Sequence, residues 1–244
     1  DLFGSYVATV LASMVLGNYV IRDFMEANNG SFDAIPFNGM GPIFLPLLIA
    51  AVGLLASIVS SYFVRVSDNG KATINAVQGA LNLGNWLSIG ISLIASYFLI
   101  NMCLPAEMSI QVFNAGEYST TTTTSQNVFF AVLIGMFVGA AISYITEFYT
   151  GLGKKPVMGI VQKSATGAAT NIIAGLGMGM LSTAMPVLLF AGAIWGAYAL
   201  AGFYGVGIAA SAMMANTAMQ LAIDAFGPIA DNAGGVAEMS ELPA

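Results

Sequence analysis

Phe44-Leu45-Pro46-Leu47-Leu48-Ile49-Ala50-Ala51-Val52 is the stretch that decides the fold class. In lipid, only a helix or a closed β-barrel satisfies every backbone polar group. A barrel strand alternates apolar and polar residues over ~10 positions. Here all nine residues are apolar, so the helix is the reading that fits. The stretch lies within residues 34–64, which carry no charge. The pattern extends along the chain. Of 244 residues, 7% are charged and 57% are hydrophobic, whereas an ordinary globular domain has ~25% charged residues. Mean hydropathy is +0.82. So few charges cannot cover a water-facing surface, which excludes a cytosolic enzyme, a nucleic-acid binder with a basic stripe and a disordered tail.

Further uncharged stretches cover 2–21, 72–106, 118–146 and 164–223. Crossing a ~30 Å hydrocarbon core takes ~20 helical residues at ~1.5 Å each. The 60-residue stretch 164–223 would be ~90 Å long as one helix, so it must turn, and Ala201-Gly202-Phe203-Tyr204-Gly205 is the natural place. The expectation is an all-α, polytopic transmembrane helix bundle forming a single transmembrane domain over 1–244. Its six spans lie near 2–21, 40–64, 72–101, 128–149, 167–199 and 206–227. Gly175-Leu176-Gly177-Met178-Gly179 and the pair Gly135 and Gly139 read as close helix packing. The 14 methionines read as apolar filler.

Loops 22–39, 102–127 and 200–205 share one side and hold only Arg22. Loops 65–71 and 150–166, with the tail 228–244, share the other and hold Arg65, Lys71, Lys154, Lys155 and Lys163. Five basic residues against one place the second side in the cytoplasm. Lys154 and Lys155 read as positive-inside anchors. Arg65, Asp68 and Lys71 read as an interfacial cluster, and the Thr-rich segment 119–125 as a solvated external connection.

The chain has no His, which removes imidazole acid–base chemistry and His-based zinc sites. Cys103 is the only cysteine and can form no internal disulfide. Carboxylates remain. Asp224, Asp231 and Glu238 are spaced by seven, which puts them on one helical face, drifting ~20° per step, if the helix continues past Pro228. Like charges on one face repel unless a cation offsets them, and Mg²⁺ takes one or two carboxylates together with substrate phosphates. The competing reading is a solvated loop, with Gly227-Pro228 ending the helix. Asp1, at the edge of a span, is either functional or merely juxtamembrane. The chain opens on Asp1 without a Met and reads as an internal piece of a longer membrane protein.

Asp224–Met239, reading DAFGPIADNAGGVAEM, resembles a signature of the membrane-bound, ion-pumping inorganic pyrophosphatases. The opening DLFGSY, Thr166–Ile173 and Ser182–Val187 are similar to further patterns of that family, in the family's order along the whole chain. The resemblance implies a pump of about sixteen spans, of which this chain supplies roughly the sixth to the eleventh. It implies a homodimer in the bilayer that couples Mg²⁺-dependent pyrophosphate hydrolysis to export of H⁺ or Na⁺, with no nucleic-acid partner. It places Asp231, and with it Asp224, at Mg²⁺ on the cytoplasmic side, and Asp1 in ion-transport coupling. It also implies the plasma (inner) membrane of a prokaryote and admits K⁺ as a second cation. No residue of this chain is assigned as catalytic, and the piece alone is expected to be inactive. Many members carry a gate Glu at the positions of Gly4 or Ala8, which are not acidic here. That leaves the pumped ion open, with a lean to H⁺. The alternatives are a gradient-driven secondary transporter or channel without hydrolysis, and a structural membrane subunit.

Overall fold

Seven helices form in the computed structural model, which describes residues 2–66, 74–114 and 116–241. In chain order these are α1 (Leu2–Ala27), α2 (Gly41–Ser61), α3 (Ile74–Cys103), α4 (Ser125–Thr150), α5 (Lys155–Ser164), α6 (Ala168–Met214) and α7 (Thr217–Met239). A two-stranded antiparallel hairpin, β1 (Glu107–Asn114) and β2 (Glu117–Thr124), lies between α3 and α4. Among the described residues, five helical stretches are long and apolar enough to cross a membrane, and the last of them, 168–239, takes in both α6 and α7. It turns where the sequence requires. Ala201 (φ −147°, ψ 31°) and Gly202 (φ 57°, ψ −150°) leave helical geometry, and the positive φ at 202 suits glycine. Beyond the turn, Val206, Ala209 and Met213 lie back beside Ala197, Ile194 and Phe190. The folded-back arm does not run unbroken to 227. It ends at Met214 and resumes as α7 after Ala215 and Asn216.

The main core lies at the end of the bundle that holds Arg22. Leu45 and Ile49 of α2, Ile100 of α3, Val128 and Val132 of α4, and Ile208 of α6 meet there. Pro46 sits inside α2 and has no N–H to give the carbonyl of Pro42, four residues back. The Tyr204 hydroxyl donates to that oxygen instead, at 2.9 Å. Removing the donor leaves a buried carbonyl unpaired, which costs about 1–3 kcal/mol. Tyr204→Phe is therefore expected to lower the thermal midpoint of the detergent-purified protein by several degrees, a shift that tryptophan fluorescence can follow.

Backbones approach one another at small residues, as the sequence suggested for one pair. A side chain on Gly135 of α4 would run into the Ala209 carbonyl, and one on Gly53 of α2 into the Ala215 carbonyl. Gly139 faces Met213, where an added Cβ would sit 3.1 Å from Cγ. Gly175, Gly177 and Gly179 differ, since none of them meets another atom of the described chain. Their arm of α6 is exposed on several sides, through Ile172, Leu176, Met180 and Trp195.

The hairpin is an addition to the expected all-helical fold. Met108 and Ile110 point into the core and Val112 packs against it, while Thr123 is buried from the other strand. The segment read as a solvated connection is thus mostly strand β2, exposed from Glu117 to Thr122 and buried at Thr123. Period-two alternation in Met108, Ile110 and Val112 was the available signal. Tertiary hydrogen bonds seat the hairpin. The Gln111 amide donates to Asp23 (3.1 Å), the Phe113 amide to the Tyr198 hydroxyl (2.7 Å), and the Thr123 hydroxyl to the Leu200 carbonyl (2.8 Å).

A second polar knot lies deeper. The Ser88 and Ser92 hydroxyls of α3 donate to Asn216 Oδ1 at 2.9 and 3.1 Å, and Ser88 also meets Ser57 of α2 at 3.2 Å. All four residues are buried. Between apolar helices such bonds hold three elements in register at the break before α7.

Candidate functional site

The acidic signature falls on α7, and the helix does not stop at Gly227-Pro228. It runs from Thr217 to Met239 with Pro228 inside it. Proline removes the bond to the carbonyl of Asp224 but leaves the flanking turns helical. The condition on which the common face depended is therefore met. Asp231 follows Asp224, and Glu238 follows Asp231, at ~10.5 Å along the axis.

Position along the chain also matters. From the turn at Gly202 to Asp224 is ~32 Å of helical rise, about one hydrocarbon thickness, and Asp231 lies roughly two turns further. The last part of α7 leaves the packed bundle, with Phe226, Ile229, Val236 and Met239 all exposed. Asp231 and Glu238 are exposed as well. Among the described residues, neither carboxylate has an ion pair, and no group of three or more metal-ligating side chains converges. The arrangement is a row of carboxylates on a single helix. It presents hard oxygen donors singly along a helix, a donor set that suits a Mg²⁺ shared with phosphate oxygens and completed by groups from elsewhere. Gly234 and Gly235 leave the backbone uncovered on the same stretch.

Asp1 lies outside the described residues, as do Asp68 and Lys71 of the proposed interfacial cluster. The helix that Asp1 leads into is well defined. Its Ser13 hydroxyl donates to the Gly207 carbonyl at 2.8 Å and accepts from Ser211 at 2.8 Å. Gly4 faces open space.

At the opposite end of the bundle, Arg22 serves in the sequence only as an orientation marker, and Asp23 beside it attracts no functional reading. The structure buries Asp23 to 7% exposure, with Arg22 at 3.3 Å and the Gln111 amide on its other oxygen. Arg22 also lies over the Tyr19 ring at 5.0 Å and within 3.8 Å of Glu26. A cavity of about 300 Å³ opens here between α1, the hairpin and the α6 turn, lined in part by Tyr118, Phe203 and Tyr204. Asp23 is saturated by its partners and clamps the hairpin to α1. Nothing in its neighbours in the chain signals that role, because the partner amide is 88 residues away.

Comparison with known proteins gives the same family as the motifs. The profile of the family described as Inorganic H+ pyrophosphatase matches residues 1–244. The chain is 39% identical over 197 residues to a pyrophosphate-energized proton pump 2 of Rhizobium leguminosarum bv. trifolii, covering 81% of this chain and 86% of the relative. It is 35% identical over 253 residues to a K(+)-insensitive pyrophosphate-energized proton pump of Caldanaerobacter subterraneus, covering all of this chain and 32% of the relative. It is 36% identical over 251 residues to a putative K(+)-stimulated pyrophosphate-energized sodium pump of Clostridium tetani, covering all of this chain and 31% of the relative. The chain thus spans about a third of the length of the latter two pumps. With a family match from end to end, the chain belongs to the H⁺/Na⁺-pumping membrane pyrophosphatase family.

Proposed function

We propose that this chain is the central part of a pump that couples hydrolysis of pyrophosphate to export of H⁺ or Na⁺. The observation that carries the reading is the uninterrupted α7, along which Asp231 follows Asp224 by about two turns. In this reading Asp231, with Asp224 behind it, holds Mg²⁺ on the cytoplasmic side of a prokaryotic plasma membrane. When bound, Mg²⁺ offsets the negative charge of pyrophosphate and so favours attack by water on phosphorus. The remaining ligands and the groups that activate that water come from parts of the pump outside this chain. The protein's own contribution here is geometric. The Ser88–Ser92–Asn216 knot sets where α7 leaves the bundle, and the fold-back at Gly202 sets its distance from the outer face.

Asp1, the residue before α1 in the sequence, is proposed to couple hydrolysis to ion movement. From residue 2 to residue 21 that helix has no Asp, Glu, Lys or Arg, so the acid of an ion gate is supplied by another helix. Relatives named as proton pumps and as a sodium pump match this chain almost equally, and relatives named K⁺-insensitive and K⁺-stimulated do so too. We favour H⁺ as the ion. The exposed arm of α6 has room for the other helices of the pump and for a homodimer partner.

The test uses the full-length protein in inverted vesicles supplied with pyrophosphate and Mg²⁺. A proton pump acidifies the lumen, and a protonophore abolishes the signal. Protonophore-resistant ²²Na⁺ uptake identifies a sodium pump instead. Absence of phosphate release overturns the hydrolytic reading in favour of gradient-driven transport. In the same vesicles Asp1→Ala is expected to lower ion pumping at least as much as hydrolysis. Unchanged pumping per pyrophosphate hydrolysed would make Asp1 a juxtamembrane residue only.

A further inference from the structure

Between Glu147 and Asp224 the chain has no carboxylate at all, and its only charges are Lys154, Lys155 and Lys163. These three lysines frame α5, a ten-residue helix joining the end of α4 to the start of α6. Its neighbours in the chain, α4 and α6, lie in stretches long and apolar enough to cross a membrane, and α5 with its three lysines is the charged break between them.

The helix has three sectors. At ~100° per residue, Pro156, Val157 and Ile160 occupy one flank. Pro156 is buried, and Val157 and Ile160 are half-buried. Lys155 and Lys163 stand on a second flank, ~80° apart, with Gln162 close by, and all three are exposed. The third flank carries Met158 and Val161, which are 43% and 53% exposed, and Leu152 just before the helix is 80% exposed. Apolar groups in a water-facing loop gain nothing from exposure. Beside lysines at a membrane edge they fit the boundary between acyl chains and headgroups.

Among the described residues no carboxylate pairs with Lys154, Lys155 or Lys163. The Lys163 backbone carbonyl accepts from the Thr166 and Thr170 hydroxyls at 2.8 and 3.1 Å, and the Lys163 side chain is exposed.

We propose that α5 is an interfacial helix that binds anionic phospholipid on the cytoplasmic leaflet. Leu152, Met158 and Val161 insert among the acyl chains, and Lys154, Lys155 and Lys163 contact the phosphate headgroups. The commitment to lipid rather than to a soluble anion rests on the apolar flank, which a free phosphate would leave exposed. Each basic residue near an anionic leaflet favours association by roughly fivefold, weakening within a Debye length as salt rises.

The test is independent of hydrolysis and so stands or falls apart from the pump reading. Full-length protein in detergent is titrated with phosphatidylglycerol or phosphatidylcholine, and retained lipids are counted by native mass spectrometry. The wild type is expected to retain phosphatidylglycerol at least about tenfold better than phosphatidylcholine. K154Q/K155Q/K163Q is expected to lose most of that preference, whereas K154R/K155R/K163R keeps it. Equal preference in the wild type and the glutamine variant would overturn the proposal. So would displacement of the lipid by millimolar inorganic phosphate at constant ionic strength, which would mark a soluble-anion site.

Discussion

Asp231→Asn in the full-length pump is expected to lower Mg²⁺-dependent pyrophosphate hydrolysis by at least about a hundredfold, or ~2.7 kcal/mol of transition-state stabilisation. Asparagine keeps the size of the side chain and one carbonyl oxygen but removes the negative charge that a hard divalent cation needs. The side chain is exposed and makes no hydrogen bond or ion pair among the described residues, so the substitution leaves folding intact. Phosphate release measured against Mg²⁺ concentration checks this, with thermal unfolding as the control. Hydrolysis at wild-type rate and ordinary Mg²⁺ demand would remove Asp231 from the site. Glu238→Gln, one heptad further from the membrane, provides the comparison. A loss as large as that at Asp231 would move the centre of the site outward along α7.

Gly135→Val should have the largest effect on folding. The added side chain meets the backbone carbonyl of Ala209, which cannot rotate away as a side chain would. Ala131, Ala197 and Ala209 pack without exposure or nearly so around the same contact, leaving no space to take up the shift. Helix association in lipid depends on such close packing, because hydrocarbon gives no hydrophobic drive between helices. Overpacking a dense core usually costs about 1–3 kcal/mol, and a backbone collision more. The variant is expected to fall to a small fraction of wild-type yield, or to unfold at least about 10 °C lower, in a fluorescence melt in detergent. Wild-type yield and melting would show that α4 and α6 are held apart by more than the structure indicates.

Much of this architecture is legible in local sequence. One cost outweighs the rest in deciding where a membrane span lies, that of placing charge and unpaired backbone in hydrocarbon. The uncharged runs 34–64, 72–106 and 118–146 therefore coincide with α2, α3 and α4 over most of their length. The turn at Ala201–Gly202 follows from length alone, since no helix of 60 residues fits the bilayer and glycine best tolerates the required backbone angles. The acidic heptad spacing and the family also came from residues near one another in the chain. The candidate site was correspondingly visible at Asp224 and Asp231, as chemistry on one helix.

Other features depend on residues far apart, and these only the tertiary structure decided. Continuity of α7 through Pro228 is one, because a proline either ends a helix or is carried within it according to what surrounds it. The hairpin is another, because its strands gain stability from the α1 carboxylate and the α6 hydroxyl and carbonyl that receive them. Tyr204 fills a vacancy created by Pro46, 158 positions earlier, and Asn216 gathers serines from α3 more than 120 residues away. Gly135 and Gly177 look alike in the sequence, yet one is pressed against a carbonyl and the other faces open space. The physical reason is common to all of them. Solvent preference acts on each residue separately and can be read along the chain, whereas a hydrogen bond or a packed contact is a property of a pair.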